Sequence, residues 1–244
     1  MMNASDKKRS EAQIKKAFRR HVMRDWSKAK GNDSWHVLHV MSEFVTGFDM
    51  LNKVGPCVSI FGSARTSPED PTYALAHEVA YKLTKNGYGI ITGGGGGIME
   101  AANKGAHDAK GRSVGVCIRL PQEQTPNPYI DHDKQLDCKY FFVRKVMFIR
   151  YAQGFIVLPG GYGTLDELSE ALTLIQTQKI GRFPVIMVDR AYWGGLIDWF
   201  KGTLVKSGNI SEEDLDLFKV VDTADEAVKE INRFYRKYLL KPNF

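Results

Sequence analysis

Residues 154–180, with the sequence GFIVLPGGYGTLDELSEALTLIQTQKI, constrain the fold more than any other part of the chain. A short apolar run at 155–158 is followed by a glycine-rich turn at 159–163, and apolar residues then recur at a spacing of three and four. This pattern predicts a buried strand, a tight turn and a helix. The first N–H groups of such a helix have no intrahelical acceptor, and glycines let an anion approach the backbone closely. The stretch therefore predicts a phosphate site.

A purely structural interpretation of the same stretch stays open. Thr164 and Glu167 fit a capping box, in which Thr164 caps the helix and Glu167 reaches back to it. On this interpretation the stretch is only a strand-to-helix turn. Asp166 is expected to be an acidic residue of the first helical turn, favoured there by the helix dipole, rather than a catalytic group.

Two further small-residue turns follow predicted strands upstream. A strand at 57–61 leads into Gly62-Ser63-Ala64-Arg65, and a strand at 88–92 leads into five consecutive glycines and a helix at 98–109. The alternation of strands and helices predicts an α/β fold, a Rossmann-like doubly wound and mainly parallel sheet with helices on both faces. Ligands bind such sheets at the carboxyl ends of the strands, so the three turns are expected to face one crevice that holds a phosphate and a sugar.

The remaining pattern continues this alternation. A helix is predicted at 73–86, and the elements predicted after residue 110 are a strand at 113–118, a long loop at 119–135, a strand at 136–142, a helix at 143–151, a strand at 183–188, a helix at 192–205, a strand at 219–221 and a helix at 224–238. The glycine run satisfies the dinucleotide-binding pattern only because it is all glycine, and no GxxxxGK[ST] loop is present.

The charge of the chain is concentrated at its N-terminus. The first 30 residues hold ten Lys or Arg and three Asp or Glu, a surplus of 10 − 3 = +7, whereas the whole chain carries +6, so the other residues sum to 6 − 7 = −1. We therefore expect a basic, flexible arm at 1–33 and a single domain at 34–244 that begins with an amphipathic helix at 34–55. Since the domain itself is nearly neutral, binding of nucleic acid is expected only through the arm, if at all.

Composition bounds the class of protein. With 244 residues and 43% hydrophobic content, the chain is long enough for one sizeable core. The sequence has no apolar run near the roughly 20 residues that a membrane span needs. Cys57, Cys117 and Cys138 are far apart and odd in number, which predicts reduced, mostly buried thiols in a cytoplasmic protein, without a disulfide framework or a metal site.

Three segments together resemble the LOG family of Rossmann-like proteins. They are GGGGGIMEAANKGA at 93–106, the pair Arg144-Lys145, and PGGYGTLDE at 159–167, where every fixed position of the PGGxGTxxE pattern is present. The best-known members of the family are cytokinin riboside 5′-monophosphate phosphoribohydrolases, and the resemblance extends from about Val58 to the last helix. Many relatives carry the label lysine decarboxylase, but nothing in these residues supports that label, and no cofactor is expected.

The resemblance implies hydrolysis of the N-glycosidic bond of a nucleoside 5′-monophosphate, AMP or an N6-modified AMP of cytokinin biosynthesis, to free base and ribose 5-phosphate. Glu167 is the expected catalytic carboxylate beside C1′, and Arg144 is its cationic partner. The other expected substrate contacts are Gly160, Gly161, Gly163 and Thr164 for the 5′-phosphate, Gly94, Gly95, Gly96, Gly97, Met99 and Glu100 for the ribose or base, and Ser63, Arg65 and Lys145 as further contacts.

Several alternatives stay open at this point. The same fold can bind or carry a nucleotide or a phosphate-bearing cofactor, such as a pterin or molybdenum cofactor, without turnover. Arg144 and Lys145 can equally be a solvated basic helix face, and the arm can be the functional part that recruits nucleic acid. The resemblance also implies a homo-oligomer, at least a dimer, for which the N-terminal helix and the helix that carries Arg144 are the candidate interface elements.

Overall fold

The computed structural model describes residues 26–119, 125–238 and 243, with side chains from residue 34 onward. The predicted arm at 1–33 therefore lies largely outside the described residues, as do residues 120–124 of the predicted long loop. The helices are α1 (Trp26–Leu51), α2 (Pro71–Lys85), α3 (Ile98–Asp108), α4 (Phe141–Arg150), α5 (Tyr162–Gln176), α6 (Arg190–Trp199) and α7 (Ala224–Tyr235), with a π-helical turn at Phe200–Val205 and a 3₁₀ helix at Glu212–Leu217. The strands are β1 (Cys57–Phe61), β2 (Gly89–Thr92), β3 (Ser113–Ile118), β4 (Gln135–Cys138), β5 (Ala152–Val157), β6 (Val185–Val188) and β7 (Lys219–Val221).

The seven strands form one sheet in the order β4-β3-β2-β1-β5-β6-β7, and every neighbouring pair is parallel. The chain builds outward from β1 to β4 and then returns to the other side of β1 with β5. This reversal confirms the predicted doubly wound fold and places its topological switch point between β1 and β5. Ligands bind doubly wound sheets in the crevice at such a point, at the carboxyl ends of the strands.

Alternate residues of β1 pack on opposite faces of the sheet. Val58 and Ile60 belong to a buried cluster that includes residues of α2, α3 and α7. On the other face, the ring of Phe61 meets the ring of Phe148 in α4 edge-on, with the centroids 5.0 Å apart. The hydroxyl of Ser59 also donates a hydrogen bond to the Phe148 carbonyl at 3.2 Å. Both faces of the sheet are therefore covered, which explains why the central strands read as continuous apolar runs.

Several element boundaries differ from the prediction. Strand β4 ends at Cys138, although the apolar, β-favouring sequence predicted a strand as far as residue 142, because residues from Phe141 onward start α4. The predicted helix at 192–205 is split into α6 and the π-helical turn. Helix α1 begins at Trp26, so the Gly31-Asn32-Asp33 sequence lies inside it. Glycine in a helix costs only about 1 kcal/mol, which neighbouring helix-forming residues offset. The division between arm and domain at residue 33 stays a prediction.

The two parts of α1 have different surroundings. In residues 34–43, the side chains of Trp35, Val37, Leu38 and Met41 are each more than half exposed. From residue 44 onward the helix packs on the domain: the ring of Phe48 lies 6.4 Å from that of Tyr151, whose hydroxyl also hydrogen-bonds the Asn52 side chain at 3.0 Å. Within the described part of the chain, none of the helices is both long and apolar enough to cross a membrane.

The three cysteines are buried, which confirms the predicted burial, and none of them forms a disulfide with another described residue. Burial raises the pKa of the Cys57 thiol to about 12 and that of the Cys117 thiol to about 11. Because the thiolate is the reactive form, these protonated thiols are poor nucleophiles and poor metal ligands. Cys57 and Cys117 are therefore unsuited to a catalytic role.

Candidate active site

The loops that follow β1, β2 and β5 are hydrogen-bonded to one another at the carboxyl edge of the sheet. The Ser63 amide donates to the Pro159 carbonyl at 2.9 Å, which joins the loop after β1 to the loop after β5. The Ile98 amide donates to the Ser63 carbonyl at 3.0 Å, which joins the loop after β1 to the start of α3. The three small-residue turns identified in the sequence thus form one structural unit beside the switch point.

Two positions of this unit leave no room for a Cβ, Gly97 because of a neighbouring backbone and Gly160 because of a neighbouring side chain. Gly97 has φ +61° and ψ −127°, a conformation that residues with a Cβ rarely adopt, and a Cβ there would lie 2.7 Å from the Ala64 carbonyl carbon. A Cβ at Gly160 would lie 2.8 Å from the Thr164 Cβ. At Gly161 and Gly163, by contrast, a Cβ would meet nothing within 4 Å. The space in front of these two glycines is open to a ligand.

We expect Gly97→Ala to lower the free energy of unfolding by about 2–4 kcal/mol, because the new Cβ combines an unfavourable backbone conformation with overpacking against Ala64. Urea denaturation measures this change. Gly163→Ala is the matched control, since its Cβ enters open space in the first turn of α5. Alanine favours helix there, so that variant should keep or slightly exceed the original stability. Equal stability of the two variants would contradict the assigned role of Gly97.

Helix α5 starts directly from the glycine turn. It begins at Tyr162 with Gly161 as its N-cap residue, and no side chain caps it. The amides of Thr164 and Leu165 both donate to the Gly161 carbonyl at 3.0 Å. Thr164 therefore lies in the first turn and Glu167 in the second, and the capping-box interpretation is wrong because the glycine turn itself begins the helix. The first amides of α5 are left without a side-chain cap, pointing away from the helix.

Glu167 is buried in the second turn of α5, with 6% of its surface exposed. Its Oε2 atom has no hydrogen-bond partner within the described residues. Burial raises the pKa of this carboxyl to about 7, an effect opposed by the positive charges of Lys145 and Arg144 and reinforced by the negative charges of Glu170 and Asp166. A buried carboxyl with an unpaired oxygen is costly to keep, and a strongly shifted pKa beside charged partners is typical of functional sites.

Arg144 is held on several sides. Its Nε donates to the Val116 carbonyl at the end of β3 at 2.8 Å, and its guanidinium lies 5.0 Å from the centre of the Phe148 ring. Gly93, the first glycine of the run after β2, lies directly against the guanidinium. Burial lowers the pKa of Arg144, and the negative charge of Glu167 raises it. The guanidinium is thus oriented next to the glycine run and within the electrostatic influence of Glu167.

Lys145 lies between two carboxylates of α5. Its Nζ is 2.8 Å from Asp166 Oδ1 and 2.9 Å from Glu170 Oε2, and 16% of its side chain is exposed. Burial disfavours its charge, but the hydrogen bonds to Asp166 and Glu170 prevail and raise its pKa. Arg144 and Lys145 are therefore not a solvated basic helix face. Asp166, predicted only as a first-turn dipole residue, is a partner of Lys145.

The other predicted contacts lie in or next to the loops after β1 and β2 and differ in exposure. The Glu100 carboxylate in the first turn of α3 accepts a hydrogen bond from the Tyr73 hydroxyl at 3.1 Å. Ser63 accepts a hydrogen bond at its side-chain oxygen from the Arg65 amide at 3.1 Å, and the Arg65 side chain is exposed. Met99 is partly buried against Gly93. The substrate contacts assigned to these residues stay predictions.

Sequence reasoning missed two buried asparagines beside the glycine run, of which Asn127 bonds to it directly. Asn127 donates from its amide to the Gly94 carbonyl at 2.9 Å and from its side chain to the Gly95 carbonyl at 3.0 Å. The same side chain donates to Asn103 Oδ1 at 2.9 Å, and Asn103 is fully buried in α3. A polar residue on the apolar face of a predicted helix was the available signal for Asn103, because buried polar groups are almost always hydrogen-bonded.

Sequence reasoning also missed a contact to the turn after β5. The Tyr192 hydroxyl, from the first turn of α6, donates to the Gly160 carbonyl at 2.7 Å. Asp189 caps α6 by accepting from the Tyr192 amide at 3.0 Å, and it does so with φ +85°, which is rare for a residue other than glycine. The glycine turn after β5 is thus hydrogen-bonded to Tyr192, which follows β6, as well as to Ser63, which follows β1. Among the described residues, no group of three or more His, Cys, Asp or Glu side chains could hold a metal ion.

The fold is that of an α/β protein whose glycine turns meet at the switch point of a seven-stranded parallel sheet. A family model described as possible lysine decarboxylase matches residues 99–231. The chain belongs to this family, and the relatives below confirm the predicted resemblance to its LOG members.

Three relatives of the chain share one enzyme name. The chain is 33% identical over 171 residues to the cytokinin riboside 5′-monophosphate phosphoribohydrolase of Mycobacterium tuberculosis, which covers 65% of this chain and 87% of that protein. It is 32% identical over 168 residues to the cytokinin riboside 5′-monophosphate phosphoribohydrolase LOG of Oryza sativa subsp. japonica, over 67% of each chain. A relative of the same name from Arabidopsis thaliana, LOG4, is 30% identical over 173 residues, 70% of this chain and 77% of its own.

Solved structures share the fold. The molybdenum cofactor binding protein of Rippkaea orientalis superposes with a TM-score of 0.53 at 20% identity, covering 73% of this chain and 95% of its own. The molybdenum cofactor carrier protein of Chlamydomonas reinhardtii superposes with a TM-score of 0.53 at 21% identity, covering 75% and 99%. At this level of identity the likeness supports the Rossmann-like fold alone.

Proposed function

We propose that the protein hydrolyses the N-glycosidic bond of a nucleoside 5′-monophosphate and releases the free base and ribose 5-phosphate. The observation that carries this proposal is Glu167, a buried carboxyl with an unpaired oxygen, next to Arg144 and one turn from an open glycine turn. The names of the relatives support the same reaction class.

The 5′-phosphate is assigned to the start of α5. Here the amides of the first turn lack a side-chain cap, and the positive end of the helix dipole lies at this point. The space in front of Gly161 and Gly163 is open. Gly160 and Thr164 shape this turn by their close contact with each other. The sugar then extends toward the glycine run at 93–97, which brings C1′ between the phosphate turn and Arg144.

The proposed chemistry separates charge at the glycosidic bond. The electron pair of the C1′–N bond leaves with the base, so positive charge develops on the ribose and negative charge on the base. Ionised Glu167 stabilises the sugar cation and orients the water whose oxygen bonds to C1′, and the proton that this water loses balances the proton gained by the base. Arg144, a fixed guanidinium, offsets negative charge on the phosphate or the departing base.

This mechanism requires Glu167 in its ionised form, so kcat/KM for AMP should fall as the pH is lowered through 7. Because burial raises the pKa of Glu167 to about 7, the value at pH 6 should be about tenfold below that at pH 8. Steady-state kinetics across this range measure this fall in kcat/KM, which is the acid limb of the pH profile. The residual activity of Glu167→Gln should lack it, which separates the enzyme carboxyl from titration of the substrate phosphate. A rate that increases toward acid pH would instead make Glu167 a proton donor.

Substrate range is tested with AMP, GMP, CMP, UMP and N6-isopentenyl-AMP, with adenosine as the substrate that lacks the phosphate. Chromatography detects free base and ribose 5-phosphate. We expect release from an adenine nucleotide, with the N6-modified form as the cytokinin-type candidate, and at least a hundredfold lower kcat/KM for adenosine, because the phosphate supplies binding energy at α5. Nucleotide binding without any release would favour the carrier alternative.

Lysine decarboxylation has no support in these residues. A lysine that forms a Schiff base with a cofactor must become neutral. Lys145 is paired with Asp166 and Glu170, whose hydrogen bonds raise its pKa. This lysine is therefore held in its charged form, which is unsuited to that chemistry.

Assembly and compartment complete the proposal. We expect at least a homodimer, supported by apolar side chains that are about half exposed or more on α1 and at the start of α4, namely Trp35, Val37, Leu38, Met41, Val45, Phe141 and Phe142. The cytoplasm is the proposed compartment, supported by three buried cysteines outside disulfides. Binding of nucleic acid is assigned, if present, to the basic arm alone.

A further inference from the structure

Lys145 occupies a place that its sequence neighbour Arg144 does not share. It reaches from α4 to α5 and pairs there with Asp166 and Glu170. Asp166 immediately precedes Glu167, and Glu170 follows it by three residues. Asp166 and Glu170 are four residues apart, so they lie one above the other on the same side of the helix. One ammonium group bonded to both thus links α4 to the turn of α5 that carries Glu167.

The charges around Glu167 explain why this pairing matters. Arg144 and Lys145 face it from α4, and Asp166 and Glu170 act on it from its own helix. Three carboxyl groups thus lie within about one turn of α5, balanced by two cations. Without Lys145, two uncompensated carboxylates would oppose ionisation of a third that is already buried.

We propose that Lys145 is a positioning residue that ties α5 to α4 and offsets the charges of Asp166 and Glu170 beside Glu167. This inference rests on the proposed function and revises the expected role of Lys145 as a substrate contact. An ammonium group has three donors, and two of them are already used by partners at 2.8 and 2.9 Å. Only one donor is left for a phosphate, and a second bond to it would require Lys145 to release Asp166 or Glu170 next to the site.

The test is the pH dependence of AMP hydrolysis by Lys145→Met. The midpoint of the acid limb should rise by about one pH unit, while KM for AMP stays within twofold of the original. Adding Glu170→Gln removes one of the released carboxylates and should move the midpoint back toward its original value. A residue that only supports the fold would not show this reversal, because the double variant restores no contact.

Lys82→Met is the matched control. Lys82 also pairs with two carboxylates, Glu78 and Asp225, each at 2.7 Å. It lies near the end of α2, which leads into the amino end of β2 and so lies at the opposite edge of the sheet from the glycine turns. Its replacement should leave the acid limb in place.

A second readout does not depend on turnover. Infrared titration follows the carbonyl band of protonated Glu167, identified by its loss in Glu167→Gln. Its midpoint should rise in Lys145→Met even if the protein hydrolyses no nucleotide, so failure of the proposed function and failure of this inference are distinguishable. An unchanged midpoint in Lys145→Met, or a tenfold rise in KM with an unmoved acid limb, would overturn the positioning role.

Discussion

Glu167→Gln is expected to lower kcat/KM for AMP by a factor of about 10³ or more. The substitution keeps the size of the side chain and removes the negative charge that the sugar cation requires. Most of the loss should appear in kcat, because the interaction is made in the transition state. The free energy of unfolding should stay equal or increase, since the buried oxygen that loses its charge has no hydrogen-bond partner within the described residues. Steady-state kinetics and urea denaturation measure the two effects.

Glu213→Gln supplies the control for this substitution. Glu213 is exposed in the 3₁₀ helix that precedes β7, and the same change there should alter neither activity nor stability appreciably. A Glu167→Gln protein that retains activity within tenfold of the original would remove Glu167 from the mechanism. A protein that loses activity only because it unfolds would be recognised by its denaturation curve.

The second large effect is expected at Arg144. Arg144→Met should lower kcat/KM by about 10²–10³, because it removes a preorganised positive charge from the crevice. Arg144→Lys should recover little of this loss, since lysine lacks the planar group that bonds to the Val116 carbonyl and stacks over Phe148. Both variants are measured at saturating and at limiting AMP, so that kcat and KM separate.

Arg144→Met has a further consequence for Glu167. The charge of Arg144 lowers the pKa of that carboxyl, so its loss should shift the acid limb of the pH profile upward. Arg144→Lys keeps a positive charge and should shift the limb less. Activity near the original level in Arg144→Lys would mean that a point charge is sufficient and that the fixed guanidinium geometry has no special role.

The sequence patterns were most informative where one interaction dominates. Strands β1 and β3 have the predicted bounds, because both are short apolar runs enclosed by turn residues and buried on both faces. The glycine turn after β5 was recognised for a similar reason, since few other structures need so many glycines between a strand and a helix. The predicted N-cap of α5, Thr164, lies three residues after the observed one, Gly161, because Thr164 is a good capping residue whereas the helix begins on the glycine backbone.

Contacts between distant residues could not be predicted in this way. Lys145 is 21 and 25 residues from its partners Asp166 and Glu170, and its role depends on the packing of α4 beside α5, which no local pattern specifies. The same holds for Asn103 and Asn127, which meet across 24 residues beneath the glycine run. The sequence patterns thus indicated candidate residues for the chemistry, but not the distant residues that contact and orient them.

The most direct test of the account is the stoichiometry of AMP breakdown in phosphate-free buffer. The purified protein is incubated with AMP, and adenine and ribose 5-phosphate are quantified together. We expect adenine and ribose 5-phosphate to appear in equal amounts with the original protein and to be nearly absent with Glu167→Gln. Recovery of intact AMP from a protein that binds it, or equal product formation by the Glu167→Gln variant, would contradict the proposal that this crevice hydrolyses the glycosidic bond through Glu167.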